Sequence, residues 1–148
     1  MIAVRPIAAD QTHDLRHRIL RAHQPPEAMV YDGDEEQTSR HFGAFDSDQL
    51  VGIATLHRRP MRGSDAGHDD LQLRGMAVDD SHRGTGVGRL LLEACLDHAG
   101  DVGAPRLWCN ARISATQFYL RMGMQQRGDR YDVPDVGPHV LMVIELDI

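Results

Sequence analysis

Lysine is absent from this chain: all 16 of its basic residues are arginine. That absence excludes a Walker-type phosphate loop, which ends in Gly-Lys-Ser/Thr because a lysine ammonium must reach the phosphates. Cysteine is scarce. Cys95 and Cys109 are too few, and wrongly spaced, for a disulfide framework or a zinc site. One falls on the apolar face of a predicted helix and the other in a predicted strand, so both are expected as buried thiols in a reducing cytoplasm. Long apolar runs are missing too. None approaches the roughly 20 residues of a membrane-spanning helix, and Met1-Ile2-Ala3-Val4-Arg5-Pro6 is too short and too mixed to open a signal peptide. No membrane partner is expected. Net positive charge is lacking as well: the formal charge of −6 argues against nucleic acid as a partner. It mildly favours a cationic substrate, with plain solubility as the alternative explanation.

What is present is an ordinary globular composition, 41% hydrophobic over 148 residues, which predicts one domain over residues 1–148. Ile2–Ile7 alternates and predicts a strand; Leu15, Ile19 and Ala22 recur at helical spacing and predict a helix over about Thr12–Ala22. Residues 24–36 form a proline- and acid-containing loop. His41–Phe45 and Gln49–Arg58 predict a hairpin turning at Asp46-Ser47-Asp48. A polar loop over Pro60–Asp70 leads to an apolar strand, Leu71–Val78. Val87, Leu90, Leu91, Ala94 and Cys95 predict the core face of a long helix ending near Gly100. A strand over Pro105–Asn110, a helix capped by Ser114 and ending near Met122, and strands over Met124–Asp132 and His139–Asp147 complete an α/β layer with a mixed sheet.

Between the apolar strand and the long helix lies Arg83-Gly84-Thr85-Gly86-Val87-Gly88. A strand, a glycine-rich turn and a helix together build an anion site. The first N–H groups of a helix lack internal partners and carry partial positive charge, and glycines let a phosphate approach them. A dinucleotide fingerprint is excluded, because Gly84, Gly86 and Gly88 are spaced two and two rather than as Gly-x-Gly-x-x-Gly.

Arg83-x-x-Gly86-x-Gly88 fits the pattern Arg/Gln-x-x-Gly-x-Gly/Ala, and here the sequence resembles the GNAT superfamily of N-acetyltransferases. Leu73-Arg74-Gly75-Met76-Ala77-Val78 before it is similar to that family's fourth strand. Ala115-Thr116-Gln117-Phe118-Tyr119-Leu120-Arg121-Met122-Gly123-Met124 after it is similar to the family's Ala-x-x-Phe/Leu-Tyr-x-Lys/Arg-x-Gly-Phe helix. The resemblance covers roughly residues 50–148 well and the N-terminal third loosely. It implies a mixed, mostly antiparallel sheet of six to seven strands flanked by about four helices. It further implies direct transfer of an acetyl group from acetyl-CoA to a primary amine in a ternary complex, the acceptor being a small molecule or a peptide. The alternative is a GNAT-fold module that binds acetyl-CoA without turnover.

By the same resemblance, Arg83, Gly84, Thr85, Gly86, Val87, Gly88 and Arg89 bind the pyrophosphate of acetyl-CoA. Met76, Ala77 and Val78 offer backbone groups to the pantetheine arm. Tyr119 matches the family's helix tyrosine, a phenol able to protonate the leaving thiolate. Some relatives carry a glutamate base four residues before Met76, where this chain has Gln72. The remaining candidate bases are Glu35, Glu36, Asp70, His57 and His139, or an ordered water. His139 ranks first: histidine titrates in the useful range, and Gly137-Pro138-His139-x-x-Met142 resembles a small GNAT group of poorly defined substrate. Arg112 stands where many members carry a pantetheine-binding asparagine; Asn110 could substitute, and Arg112 and Arg121 either meet CoA phosphates or are solvated. His13 and His17 sit one helical turn apart with no third ligand nearby, so no metal is expected. An edge strand of such a sheet could pair two copies across a two-fold axis.

Overall fold

The computed structural model describes residues 1–63 and 69–146. Residues 64–68 of the expected Pro60–Asp70 loop, and Asp147 of the expected last strand, lie outside the described residues. Seven strands form one sheet: β1 Ile2–Pro6, β2 Arg40–Asp46, β3 Gln49–Arg58, β4 Leu71–Val78, β5 Arg106–Arg112, β6 Gln125–Val133 and β7 Gly137–Glu145. Their spatial order is β1-β2-β3-β4-β5-β7-β6. The pairs β1–β2, β2–β3, β5–β7 and β6–β7 are antiparallel, and β4 runs parallel to β5. The expected mixed, mostly antiparallel sheet is therefore present at its upper strand count.

Three α-helices stand among the described residues, α1 His13–Leu15, α2 Val87–Asp101 and α3 Thr116–Arg121, against about four expected. The helix predicted over Thr12–Ala22 is a run of changing register: a 3-10 turn over Ala9–Thr12, then α1, then a π turn over Arg16–Leu20. The change falls at Arg16, whose side chain is drawn wholly inside by polar partners that helical periodicity does not register. Ser114 is not the cap of α3. It lies inside a 3-10 turn over Ile113–Ala115, so the cap position passes to Ala115, which makes no side-chain capping bond. No helix among the described residues is long and apolar enough to cross a membrane.

The chain comprises two compact units, Met1–His57 with Leu73–His98 and Arg58–Gln72 with Ala99–Ile148. In the first, Leu15, Ile53 and Ala77 form a buried cluster, with Ile7, Ile19, Leu20 and Leu50 packed against it. Helix α2 seats Val87 and Leu91 over β3 at Gly52, where a Cβ would stand 2.8 Å from Val87 and 2.9 Å from Leu91. Leu91, Leu92 and Cys95 are fully buried on α2, whereas Leu90, expected on the core face, is exposed. In the second unit Met61, Trp108, Leu141 and Val143 form the buried cluster, and the Trp108 indole N–H donates to the Arg59 carbonyl at 2.9 Å.

Candidate active site

In the first unit, β4 runs into the glycine loop through a polar turn. Asp79 caps the 3-10 turn Asp80–His82 by accepting from the Ser81 N–H at 3.0 Å, and it accepts from Arg18 Nη2 at 3.1 Å. The Ser81 N–H, then the Arg18 guanidinium, hold its carboxyl down at about 2. His82 Nε2 donates to Asp46 Oδ2 at 2.8 Å, which lowers the Asp46 pKa. The loop beyond is bare. Gly84 and Gly86 have φ of +74° and +89°, a region costly for residues with a Cβ, and no atom lies within 4 Å of where their Cβ atoms would stand. Leu90 N–H closes the first turn of α2 on the Gly86 carbonyl at 3.1 Å. The amides of Val87, Gly88 and Arg89 thus have no partner within the helix. Val87 is buried and pins the turn, while Arg83, Gly84, Thr85, Gly86 and Arg89 are exposed. An open, positively polarised flank of this kind fits a phosphate.

The strand ahead of the loop also has a special position. Gly75 takes φ +58° in the middle of β4; a Cβ there would stand 3.2 Å from both Arg16 Nε and Tyr31 Cε2. Rungs between β4 and β5 are Leu71↔Leu107 and Gln72↔Trp108. The Ala77 side chain packs in the core.

In the second unit, Tyr119 is buried on α3, and its hydroxyl hydrogen-bonds the Cys109 sulfur. Burial pushes the Cys109 and Cys95 thiols up to about 12. His139, also buried, lies in β7 opposite Arg112 of β5 and Tyr131 of β6. Its Nδ1 is 2.8 Å from the Gly137 carbonyl oxygen. A carbonyl only accepts, so Nδ1 carries a proton, and the neutral tautomer compatible with this bond has its lone pair on Nε2. Tyr131, a residue the sequence did not single out, tilts its ring 6.3 Å from that of His139 and donates its hydroxyl to Asn110 Oδ1. Arg62 lies over the Tyr131 ring at 4.6 Å and donates to the same Asn110 oxygen at 3.4 Å. Burial raises the Tyr131 pKa against the opposing pull of Arg62. Arg121 is exposed.

The other candidate bases stand in different settings. Asp70 is fully buried, accepting from Arg106 Nε and the Met61 N–H, each at 3.1 Å. His57 is buried and donates Nε2 to Asp34 Oδ1 at 2.9 Å. Glu35 and Glu36 are exposed and border an open depression of about 390 Å³ with Asp10 and His41. His17 Nε2 donates to the Gln24 carbonyl at 2.9 Å.

Beneath the first unit's surface is a polar network with no sequence signature. Arg16 donates to both oxygens of Asp34 at 2.7 and 3.1 Å, to the Met29 carbonyl at 2.7 Å and to Thr55 Oγ1 at 2.8 Å. His41 donates Nε2 to the Asp34 carbonyl at 3.0 Å, so its Nδ1 accepts from the Thr55 hydroxyl at 2.8 Å. Burial alone would raise the Asp34 pKa, but the bonds from His57, Arg16 and the Tyr31 N–H hold it well below the usual carboxylate range.

Comparison with known proteins agrees with this geometry. The family model "Acetyltransferase (GNAT) family" matches residues 9–124. A Bacillus subtilis protein named uncharacterized N-acetyltransferase YitI is 31% identical over 144 residues, covering 96% of this chain and 95% of that protein. Streptothricin acetyltransferase of Streptomyces lavendulae is 33% identical over 93 residues, 60% of this chain and 46% of its own length. In fold, Escherichia coli ElaA superposes with a TM-score of 0.78 at 19% identity, over 98% of this chain and 100% of that one. The Escherichia coli ribosomal-protein-S18-alanine N-acetyltransferase gives 0.79 at 17% identity, over 100% and 96%. With the strand, the bare glycine loop and the helix in the family's order, the chain belongs to the GNAT family of acetyltransferases and is an acyltransferase that uses an acyl-CoA.

Proposed function

We propose that this protein moves an acetyl group from acetyl-CoA directly to a primary amine on a small molecule or peptide, in a ternary complex within a reducing cytoplasm. The observation that carries the proposal is the glycine loop: two left-handed glycines with empty flanks, set immediately before the unpartnered amides of α2. Arg83 to Arg89 take the pyrophosphate through backbone N–H groups, and Met76, Ala77 and Val78 take the pantetheine arm through theirs. The buried thiols support direct transfer. A cysteine held near 12 is almost wholly protonated at neutral pH and makes a poor covalent relay.

Tyr119 holds the proton for the departing thiolate. His139 receives the amine's proton on Nε2, the nitrogen its bond to Gly137 leaves with a lone pair. Tyr119→Phe is expected to lower kcat by about 100-fold while the KM for acetyl-CoA changes little. An unchanged kcat removes Tyr119 from the chemistry. His139→Ala is expected to flatten the pH–rate profile below neutrality, and an unaltered profile discards it as the base.

Gln72, in place of a strand glutamate, favours a second reading, an acetyl-CoA-binding module without turnover. Release of free CoA across an amine panel separates the two. Amine-dependent release supports the enzyme, and saturable binding with no release supports the module.

A further inference from the structure

Arg74 is an arginine with no counter-ion among the described residues. It sits on β4, part-buried, two residues before Met76. Its guanidinium lies over the Tyr31 ring at 4.5 Å. Among the described residues it makes no ion pair with a carboxylate. Two other inward-facing arginines are each paired with a carboxylate: Arg16 with Asp34 at 2.7 Å and Arg106 with Asp70 at 3.1 Å. Burial lowers the pKa of Arg74, and the Asp34 charge opposes that shift without forming an ion pair with it.

The surroundings hold charges of both signs. The groups whose charges act on Arg74 are Tyr31, Arg16, Asp34 and Arg21. Asp34 is committed to Arg16 and His57. Arg21 Nη1 donates to the Leu20 carbonyl, a neutral acceptor, at 3.1 Å. Arg16 lies over the same Tyr31 ring at 3.8 Å, and its Nε is buried with no hydrogen-bond partner, beside Gly75. Two further guanidinium groups, Arg16 and Arg21, and one carboxylate, Asp34, thus act on Arg74, in a protein whose formal net charge is −6. Tyr31 itself is fixed, its N–H donating to Asp34 Oδ2 at 3.0 Å.

We propose that Arg74, seated on Tyr31, binds a carboxylate at the reacting end of the acyl-transfer site. This rests on the reading of Met76–Val78 as the segment that takes the acyl carrier. Two residues of strand span roughly 7 Å, so an arginine side chain there can reach a carboxylate borne close to the reacting carbon or nitrogen. A planar guanidinium with a free donor edge takes a carboxylate by two parallel hydrogen bonds. The carboxylate comes either from the acceptor, which is then an amino acid or an amine with a nearby acid group, or from the acyl chain of a dicarboxylyl-CoA.

The test is a set of matched pairs with the intact protein. With acetyl-CoA, phenylalanine is compared with phenethylamine and lysine with cadaverine. With the preferred amine, succinyl-CoA is compared with butyryl-CoA. The expected result is at least a tenfold preference in kcat/KM for the carboxylated member in one arm, and that arm identifies the source. Arg74→Met is expected to bring the ratio to within about threefold of one, and Arg74→Lys, which keeps the charge but not the fork, to retain part of it. Wild-type ratios near one in both arms overturn the proposal without any variant, as does a preference that Arg74→Met leaves intact. Absence of transfer to every amine, together with no stabilisation by any CoA species, overturns the underlying reading and this proposal with it. Transfer with flat ratios overturns this proposal alone.

Discussion

The glycine loop and the buried network around Asp34 lie in the same unit and are built in opposite ways. The loop works through backbone. Gly84 and Gly86 contribute the absence of a side chain, the segment is exposed, and its partners are consecutive residues. The network works through side chains. Arg16, Asp34, His41, Thr55 and His57 are all buried and come from a helical run, a loop and two strands. Any phosphate that meets the loop finds donors already in place, at little conformational cost. The side chains of the network are buried and bonded to one another and to the nearby backbone, with Arg16 Nε left without a partner. The first arrangement is suited to binding. The second is suited to holding a loop, since Asp34 fixes Tyr31 by its backbone N–H and Arg16 fixes Met29 by its carbonyl.

The comparison breaks most sharply at Asp34. Removing one partner of a buried ion pair leaves the other charged and unpaired, so Asp34→Ala is expected to destabilise the fold by about 3–5 kcal/mol in urea denaturation. A double replacement of Arg16 and Asp34 by apolar residues of similar size is expected to cost less than Asp34→Ala alone. A loss below about 1 kcal/mol for Asp34→Ala would show that the network is not structural.

Gly86→Ala probes the other side. Its φ of +89° penalises a Cβ by roughly 1–2 kcal/mol, so apo stability is expected to fall by no more than that while acetyl-CoA affinity falls about tenfold. Equal affinity would mean that the bare flank is not the phosphate site.

The smallest effect is on acid stability. The folded pKa of Asp34 lies below its unfolded value near 4. Its stabilisation is therefore fully present above that value and is lost as pH falls through the folded pKa. Wild type is expected to lose stability below about pH 4 more steeply than Asp34→Asn; parallel acid profiles would contradict the depressed pKa.

The same contrast explains what could be read in the sequence. The bounds of β3 and β4 were legible because an apolar run between turn residues is a local property. The exposed glycine turn ahead of α2 was legible because its six residues are adjacent. Arg16 and Asp34 are 18 residues apart, and Arg16 and Thr55 are 39 apart; no periodicity marks them. The polar partners of Arg16 accompany a register change in the predicted first helix, which spacing alone reads as regular. On α2, Leu90 and Leu92 exchange burial relative to expectation, since a stripe read from spacing does not specify which flanking leucine meets the sheet. Tyr119 and His139 were named from motif, but the tautomer of His139 comes from a carbonyl that the sequence cannot orient. Arg74 was visible only as part of the strand motif, its missing counter-ion being a property of the folded neighbourhood.

The most direct test of the central claim is a thermal-shift titration of the wild-type protein with acetyl-CoA, with CoA and NAD as comparators. A ligand that binds only the folded state raises the melting temperature in a saturable way. The expected result is saturable stabilisation by acetyl-CoA and none by NAD. No shift with any CoA species would contradict the account, leaving the glycine loop a structural turn.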